Sequence, residues 1–254
     1  MINLKKNLKM KISSPVNALL FLMIELTVAL GYSQNKTEIR VFNAMNSSAS
    51  VKFQADKASS KSLNIGSERV TDFQQLHPAK YQFRVHSNSK NLLQKELALA
   101  KNQAYTIIVF GRPELSSEVN QQIFRHKMHY IFEGSENFTA NGFLPSYFVF
   151  REKVKLQKGA AAVRAFHAAA GTGEISITLN EPGKDQTKNV ASKLKYASPV
   201  MSTRIEAGSK GVQVFLGNSP EPVIQQQYDF KEQKDYIFII TGKNGKLDLH
   251  ILED

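Results

Sequence analysis

Six histidines, two arginines in matching surroundings and one aromatic-rich stretch are the side chains whose types could do chemistry. His126 and His129 are the closest histidine pair, three positions apart. On a strand that spacing points them to opposite faces, which is wrong for sharing a metal ion. The others are His77, His86, His167 and His250. His167 stands where a matching upstream segment has Asn43, and both can hydrogen-bond backbone at a strand end. Gly171-Thr172-Gly173 lacks the third glycine of a dinucleotide loop, since Ser176 holds that place, so it reads as a hairpin turn. Neither a G-x-S-x-G elbow nor a phosphate-cradling loop occurs. The absence of cysteine excludes disulfides, thiolate metal sites, cysteine nucleophiles and lipid attachment through a thioether. These residues lead to the expectation of a chain without catalytic residues, metal or cofactor, and not an enzyme.

The aromatic stretch lies within Gly134–Ala160 and contains Phe143, Tyr147, Phe148 and Phe150. A linker that only had to be flexible would not carry these rings. Two readings stay open. The rings pack across a junction between domains, or they form a surface for a partner protein or for stacking on sugars. On the second reading these four residues are the partner-binding candidates.

The elements that must position these groups emerge from an internal repeat. Ile39-Arg40-Val41-Phe42-Asn43-Ala44 returns 124 residues later as Val163-Arg164-Ala165-Phe166-His167-Ala168. Val51, Phe53 and Ala55 then match Ile175, Ile177 and Leu179 at the same offset. From Tyr81 onward the offset becomes 131, matching Tyr81, Phe83 and Val85 to Val212, Val214 and Leu216, and Tyr105–Gly111 to Tyr236–Gly242. The seven-residue difference marks an insertion near Gly183–Ala191 in the second copy. Several strand-like segments in one order indicate two copies of one domain. Each copy alternates apolar and polar residues over short runs separated by turns. The final strands are expected at Lys127–Glu133 and Lys246–Leu252, the only helix at Leu115–Phe124, and a polar loop at Lys57–Ser67. The expected fold is all-β: two tandem immunoglobulin-like, Greek-key antiparallel β-sandwiches. The boundaries are 34–133 for the first repeat, 134–160 for the junction and 161–254 for the second repeat. Arg40 and Arg164 recur in both copies, so a structural role is expected, with the stem covering the sheet and the head capping a loop.

Residues 1–33 resemble an export signal. Lys5, Lys6, Lys9 and Lys11 precede an apolar run from Ala18 to Leu30, and Gly31-Tyr32-Ser33 offers small residues before a cut at Gln34. The run is short for a span and contains Glu25, which argues against an anchor. Cleavage lowers the formal charge from +11 to +8, because the leader holds four lysines and one glutamate. Such a surface is well solvated, and outside the cytoplasm it attracts polyanions such as an acidic polysaccharide. Nucleic acid is not expected as a partner at that address, nor a membrane span after cleavage.

The motif order resembles two related bacterial groups: a V-R-V-x-N-A-like opening strand, a proline turn before an alternating strand, and a Tyr-Thr-apolar strand. One is the tandem-repeat envelope β-sandwich family of unknown function. The other is the alginate biosynthesis protein AlgF family. The likeness runs over Glu38–Val51, Pro78–Val85 and Asn102–Val109, then over Ala162–Ile177 and Ser202–Thr241. The longer Ala55–Ser67 loop and the aromatic junction depart from it. The resemblance implies a non-catalytic periplasmic accessory of polysaccharide O-acetylation, an adaptor or binding module. Its partners would be envelope proteins of the acetylation machinery and, through its charge, an anionic polysaccharide. The alternative reading is a cell-surface adhesion protein without a polysaccharide role.

Overall fold

A computed structural model describes residues 36–55, 60–114, 143–152, 156–181, 183, 187–243 and 246–254. The leader, the Lys127–Glu133 segment and the Leu115–Phe124 segment lie outside the described residues. All regular elements described are strands, apart from a single turn of 3₁₀ type at Pro113–Glu114.

The first half contains β1 (Thr37–Asn43), β2 (Ala49–Gln54), β3 (Ser60–Ile65), β4 (Arg69–Val70), β5 (Gln74–Leu76), β6 (Ala79–Ser87), β7 (Lys90–Leu99), β8 (Ala104–Phe110) and β9 (Ser146–Arg151). The second contains β10 (Ala160–His167), β11 (Ile175–Asn180), β12 (Thr187–Leu194), β13 (Pro199–Glu206), β14 (Gly208–Leu216), β15 (Ile224–Phe230), β16 (Asp235–Lys243) and β17 (Lys246–Glu253). Each half is a sandwich of two sheets. The outer sheets run β3-β2-β6-β7 and β12-β11-β14-β15. The inner sheets run β4-β1-β8-β9, with β5 also on β1, and β13-β10-β16-β17. The two halves therefore share one strand order. Pairing is antiparallel except for β1 with β8 and β10 with β16, which are parallel.

Three hydrophobic layers lie between the four sheets. Val51, Phe53, Phe83 and Val85 of the first outer sheet meet Ile39, Val41, Ile107 and Val109 of the inner one. Ile177, Val212 and Val214 meet Val163, Ala165, Phe238 and Ile240 in the second half. The middle layer joins the halves: Phe42, Ile108, Phe110 and Phe150 face Phe166, Ile237, Ile239 and Leu252. The inner strands are thus covered on both faces. That explains the near-continuous apolar runs of β8, β10 and β16, since a strand buried on both sides cannot alternate with polar residues. The outer strands alternate because one face meets water.

Two strands differ from the sequence expectation. Ser60–Ile65, read as loop, is the edge strand β3, paired with β2 from Gln54↔Ser60 to Ala49↔Ile65. An edge strand with its outer face in water needs few apolar residues, and here Leu63 and Ile65 are the apolar members of an inward face that also carries Lys61. In the first half the strand beside β8 comes from the aromatic stretch. Tyr105 pairs with Arg151 in β9, as Tyr236 pairs with Glu253 in β17. Residues 111–145 thus intervene between β8 and β9, where two residues, 244 and 245, separate β16 from β17.

Candidate functional site: a sealed seam and two open faces

Alternation on the inner strands sends every second side chain into the seam between the halves. Arg40 and Phe42 project from β1, Thr106 and Ile108 from β8, Phe148 and Phe150 from β9. Arg164 and Phe166 face them from β10, with Asp235 and Ile237 from β16. The aromatic and aliphatic members fill the layer, and the charged members gather at one end of it.

Glu152, just past β9, is the centre of that charged end and is 1% exposed. Its amide donates to the Ala104 carbonyl at 2.8 Å, which keeps the chain beside β8. Its Oε1 accepts from Arg40 Nη2 at 3.1 Å and its Oε2 from Arg164 Nη2 at 2.9 Å. The Thr106 hydroxyl also donates to Oε1 and itself accepts from Arg40 Nε at 2.7 Å. Each arginine then crosses to the other half. Arg40 Nη1 donates to the Glu253 carbonyl at 2.8 Å, and Arg164 Nη1 donates to the Arg151 carbonyl at 2.8 Å. Because Arg151 and Glu253 hold equivalent places, the exchange is reciprocal, as in a two-fold interface. Arg40 also lies 4.7 Å from the centre of the Phe73 ring, and Arg164 lies 5.0 Å from that of Phe150.

Asp235 is the fourth charge. Its Oδ2 is 2.5 Å from Arg164 Nη2, yet neither of its carboxylate oxygens receives a well-directed hydrogen bond. Burial pushes its carboxyl up to about 6; Arg164 opposes this and Glu152 adds to it. Two guanidinium groups and two carboxylates leave the knot balanced. Single removal of a buried partner exposes an uncompensated charge, whereas the intact set contributes little net stability. The expected loop-capping role of the recurring arginines is therefore replaced by this one: their heads meet across the seam on a shared carboxylate.

The histidines are distributed one by one. Asn43 Oδ1 accepts from the Met45 amide at 3.1 Å, and His167 Nδ1 accepts from the Ala169 amide at 3.3 Å, so the strand-end role is filled in both copies. Nε2 of His167 then carries the proton and faces the Gly173 carbonyl at 3.0 Å. Burial lowers the pKa of His167, and the bond to Gly173 partly offsets it. His250 Nε2 lies 3.0 Å from Thr241 Oγ1, which donates to Glu68 Oε1 of the first half at 2.8 Å. His77 is exposed, His86 is half-buried on the first outer sheet, and His126 and His129 lie outside the described residues. Among the described residues, no cluster of three histidine or acidic side chains could hold a metal ion.

The four aromatic candidates have neighbours inside the chain. Phe150 is fully buried in the seam, and Phe148 stacks on Phe166 with centroids 5.1 Å apart. Tyr147 points the other way, into the first sandwich, 5.1 Å from the Phe83 ring. Half-buried Phe143 sits edge-on to Tyr196 at 5.1 Å, beneath the Arg112 guanidinium.

The outward faces of the outer sheets are open. In the first half, Lys52 stands directly opposite Arg84, and Gln54 opposite Gln82. Arg84 Nη1 donates to Gln54 Oε1 at 3.3 Å, while its buried Nε has no partner. Next along the face, Ser50, Asn64 and His86 border a shallow depression of about 350 Å³. Position for position, the second half places Ser176 opposite Phe215 and Thr178 opposite Gln213. No signal in the one-dimensional charge pattern marked Lys52 and Arg84, because they are 32 residues apart and meet only through strand register.

No family model matches the sequence, and no curated protein matches it. Among solved structures, the chain is similar to the C-terminal domain of AlgF from P. aeruginosa, at 16% identity over 39% of this chain and 99% of that one, with a TM-score of 0.28. It is similar to the tip fimbrial protein Mfa3 from Porphyromonas gingivalis, at 8% identity, covering 87% and 99% of the two chains, with a TM-score of 0.27. A fimbrial assembly protein from Parabacteroides distasonis matches at 11% identity, over 87% and 99%, with a TM-score of 0.23. Among the described residues no helix is long and apolar enough to cross a membrane. At such overlaps these names stay with those proteins.

Proposed function

We propose that the chain is an exported, non-catalytic binding and adaptor protein that serves the modification of an exopolysaccharide, of the alginate O-acetylation kind. The observation that carries this reading is the division of its polar chemistry. The densest ionisable cluster is sealed in the seam, where it locks two sandwiches into one body, and the polar groups left to solvent lie on flat sheet faces. Flat faces of amides, hydroxyls and cations suit extended ligands and protein partners. The AlgF-like order of the sequence motifs directs the reading to polysaccharide acetylation.

Deleting the gene in its host and measuring O-acetyl groups on the exported polymer tests the role. Acetylation falls, and returns when the gene is restored. Unchanged acetylation with impaired surface attachment would instead support the adhesion alternative. Incubating the leaderless chain with acetyl esters or glycans gives a flat trace; turnover above background would overturn the non-catalytic assignment.

A further inference from the structure

We infer that the outward face of the β3-β2-β6-β7 sheet is a binding site for a carboxylated polysaccharide, centred on Lys52 and Arg84. The ligand class rests on the polysaccharide reading above; the location rests on the face itself. Like charges directly opposite on antiparallel strands repel and destabilise the sheet. Here they are kept side by side, and no described acidic group forms an ion pair with either. The fold does not require them, since the same two places in the second sandwich hold Ser176 and Phe215. An unbalanced cation pair that the architecture does not need is explained by an anion that visits it.

The surroundings narrow the anion. Gln54, Gln82 and Gln94 lie beside the pair, and their amides carry both donors and acceptors, which suit sugar hydroxyls. The neighbouring shallow depression, bordered by Ser50, Asn64 and His86, extends the polar face. Among the described residues, the large apolar side chains most exposed to water, Val70, Phe73, Met201, Leu216 and Val223, all lie off this face, so none of them gives it a lipid-inserting group. The long-range field agrees. Residues 34–160 hold 18 basic and 10 acidic side chains, whereas residues 161–254 hold 11 of each. All the excess charge of the leaderless chain thus belongs to the sequence of the first half and the junction, which favours a polyanion as its partner.

The test is affinity electrophoresis of the leaderless chain through gels containing polyuronate, neutral dextran or no polymer, with co-sedimentation on phosphatidylglycerol vesicles. Polyuronate retards the chain, dextran does not, and added salt relieves the retardation. The double variant Lys52→Gln/Arg84→Gln binds polyuronate roughly tenfold more weakly, with a melting temperature equal to or above that of the parent. The variant Lys188→Gln/Lys193→Gln removes the same charge from the second half and leaves retardation intact. Equal loss in both variants, no loss in the first, or retention only on vesicles would each overturn the site. Intact polyuronate binding with unchanged polymer acetylation in the deletion strain would remove the accessory role and leave the site standing. The converse result would remove the site alone.

Discussion

The two sandwiches are alike wherever the chain must fold and unlike wherever it meets solvent. Both use the same strand order and one parallel pair. Both end their first strand on a side chain that accepts from an amide two residues on. Both send an arginine into the seam. Their outer faces share no such pattern: a cation pair on one side corresponds to serine and phenylalanine on the other. Shared positions therefore mark what the architecture demands, and divergent ones mark where use has differed.

The largest effect is expected at the seam, where the halves depend on one another. Glu152→Ala leaves buried Arg40 without an acidic partner and Arg164 with Asp235 alone, and should cost about 3–5 kcal/mol, read by chemical denaturation. Arg164→Met should cost more than Arg40→Met, because it also abandons Asp235; equal losses would show that the two arginines are interchangeable. Next comes the glycine at the close of the core strand in each half, just past β8 and one residue before the end of β16. Gly111 has φ of +112°, and an added Cβ would lie 2.6 Å from the Leu144 carbonyl oxygen. Gly242 needs no such backbone, and its Cβ would meet the Ala169 methyl at 2.9 Å. Gly111→Ala should therefore cost about 2 kcal/mol or more, and Gly242→Ala about 1 kcal/mol.

Smaller effects appear with pH. The native His167 ring holds its proton less tightly than the unfolded chain. Stability from this residue is present above pH 6.5 and falls as pH drops below it. Asp235 acts with the opposite sign. Its folded value of about 6 exceeds its unfolded 3.8, so its contribution falls as pH rises across that window. His167→Asn, which installs the residue of the first half, should remove the acid-side loss while keeping the turn. Asp235→Asn should remove the loss on raising pH. Melting curves from pH 4 to 8 separate the two. The subtlest test transplants the outer face: Ser176→Lys/Phe215→Arg should give the second sandwich a few-fold gain in polyuronate affinity, with little change in melting.

Much of this architecture was legible because the duplication repeats core residues at fixed offsets. The alternation of Arg40 and Phe42 against Ile39 and Val41 announced two faces, and Asn43 and His167 could be read as strand-end acceptors from type and place alone. The edge strand β3 was hidden because Ser60, Ser62 and Asn64 look like loop. The strand β9 was hidden because Lys127–Glu133 alternates well and lies nearer, while residues 111–145 break the offset. The shared carboxylate is hidden in the sequence for the same reason. Glu152 becomes the counterpart of Asp254 only when Tyr147–Arg151 is aligned with Leu249–Glu253, at an offset of 102 instead of 131. The Lys52–Arg84 pair depends on strand register, which no linear pattern of charge records.

The reciprocal reach of Arg40 and Arg164 to the end of each other's last strand has a consequence for ancestry. A lone sandwich bearing such a face would pair with itself, each copy's arginine docking on its twin. Joining two such copies end to end makes that encounter intramolecular, so it no longer depends on protein concentration. Once the pairing was secured by the peptide chain, one twin could specialise its exterior while the other remained a scaffold.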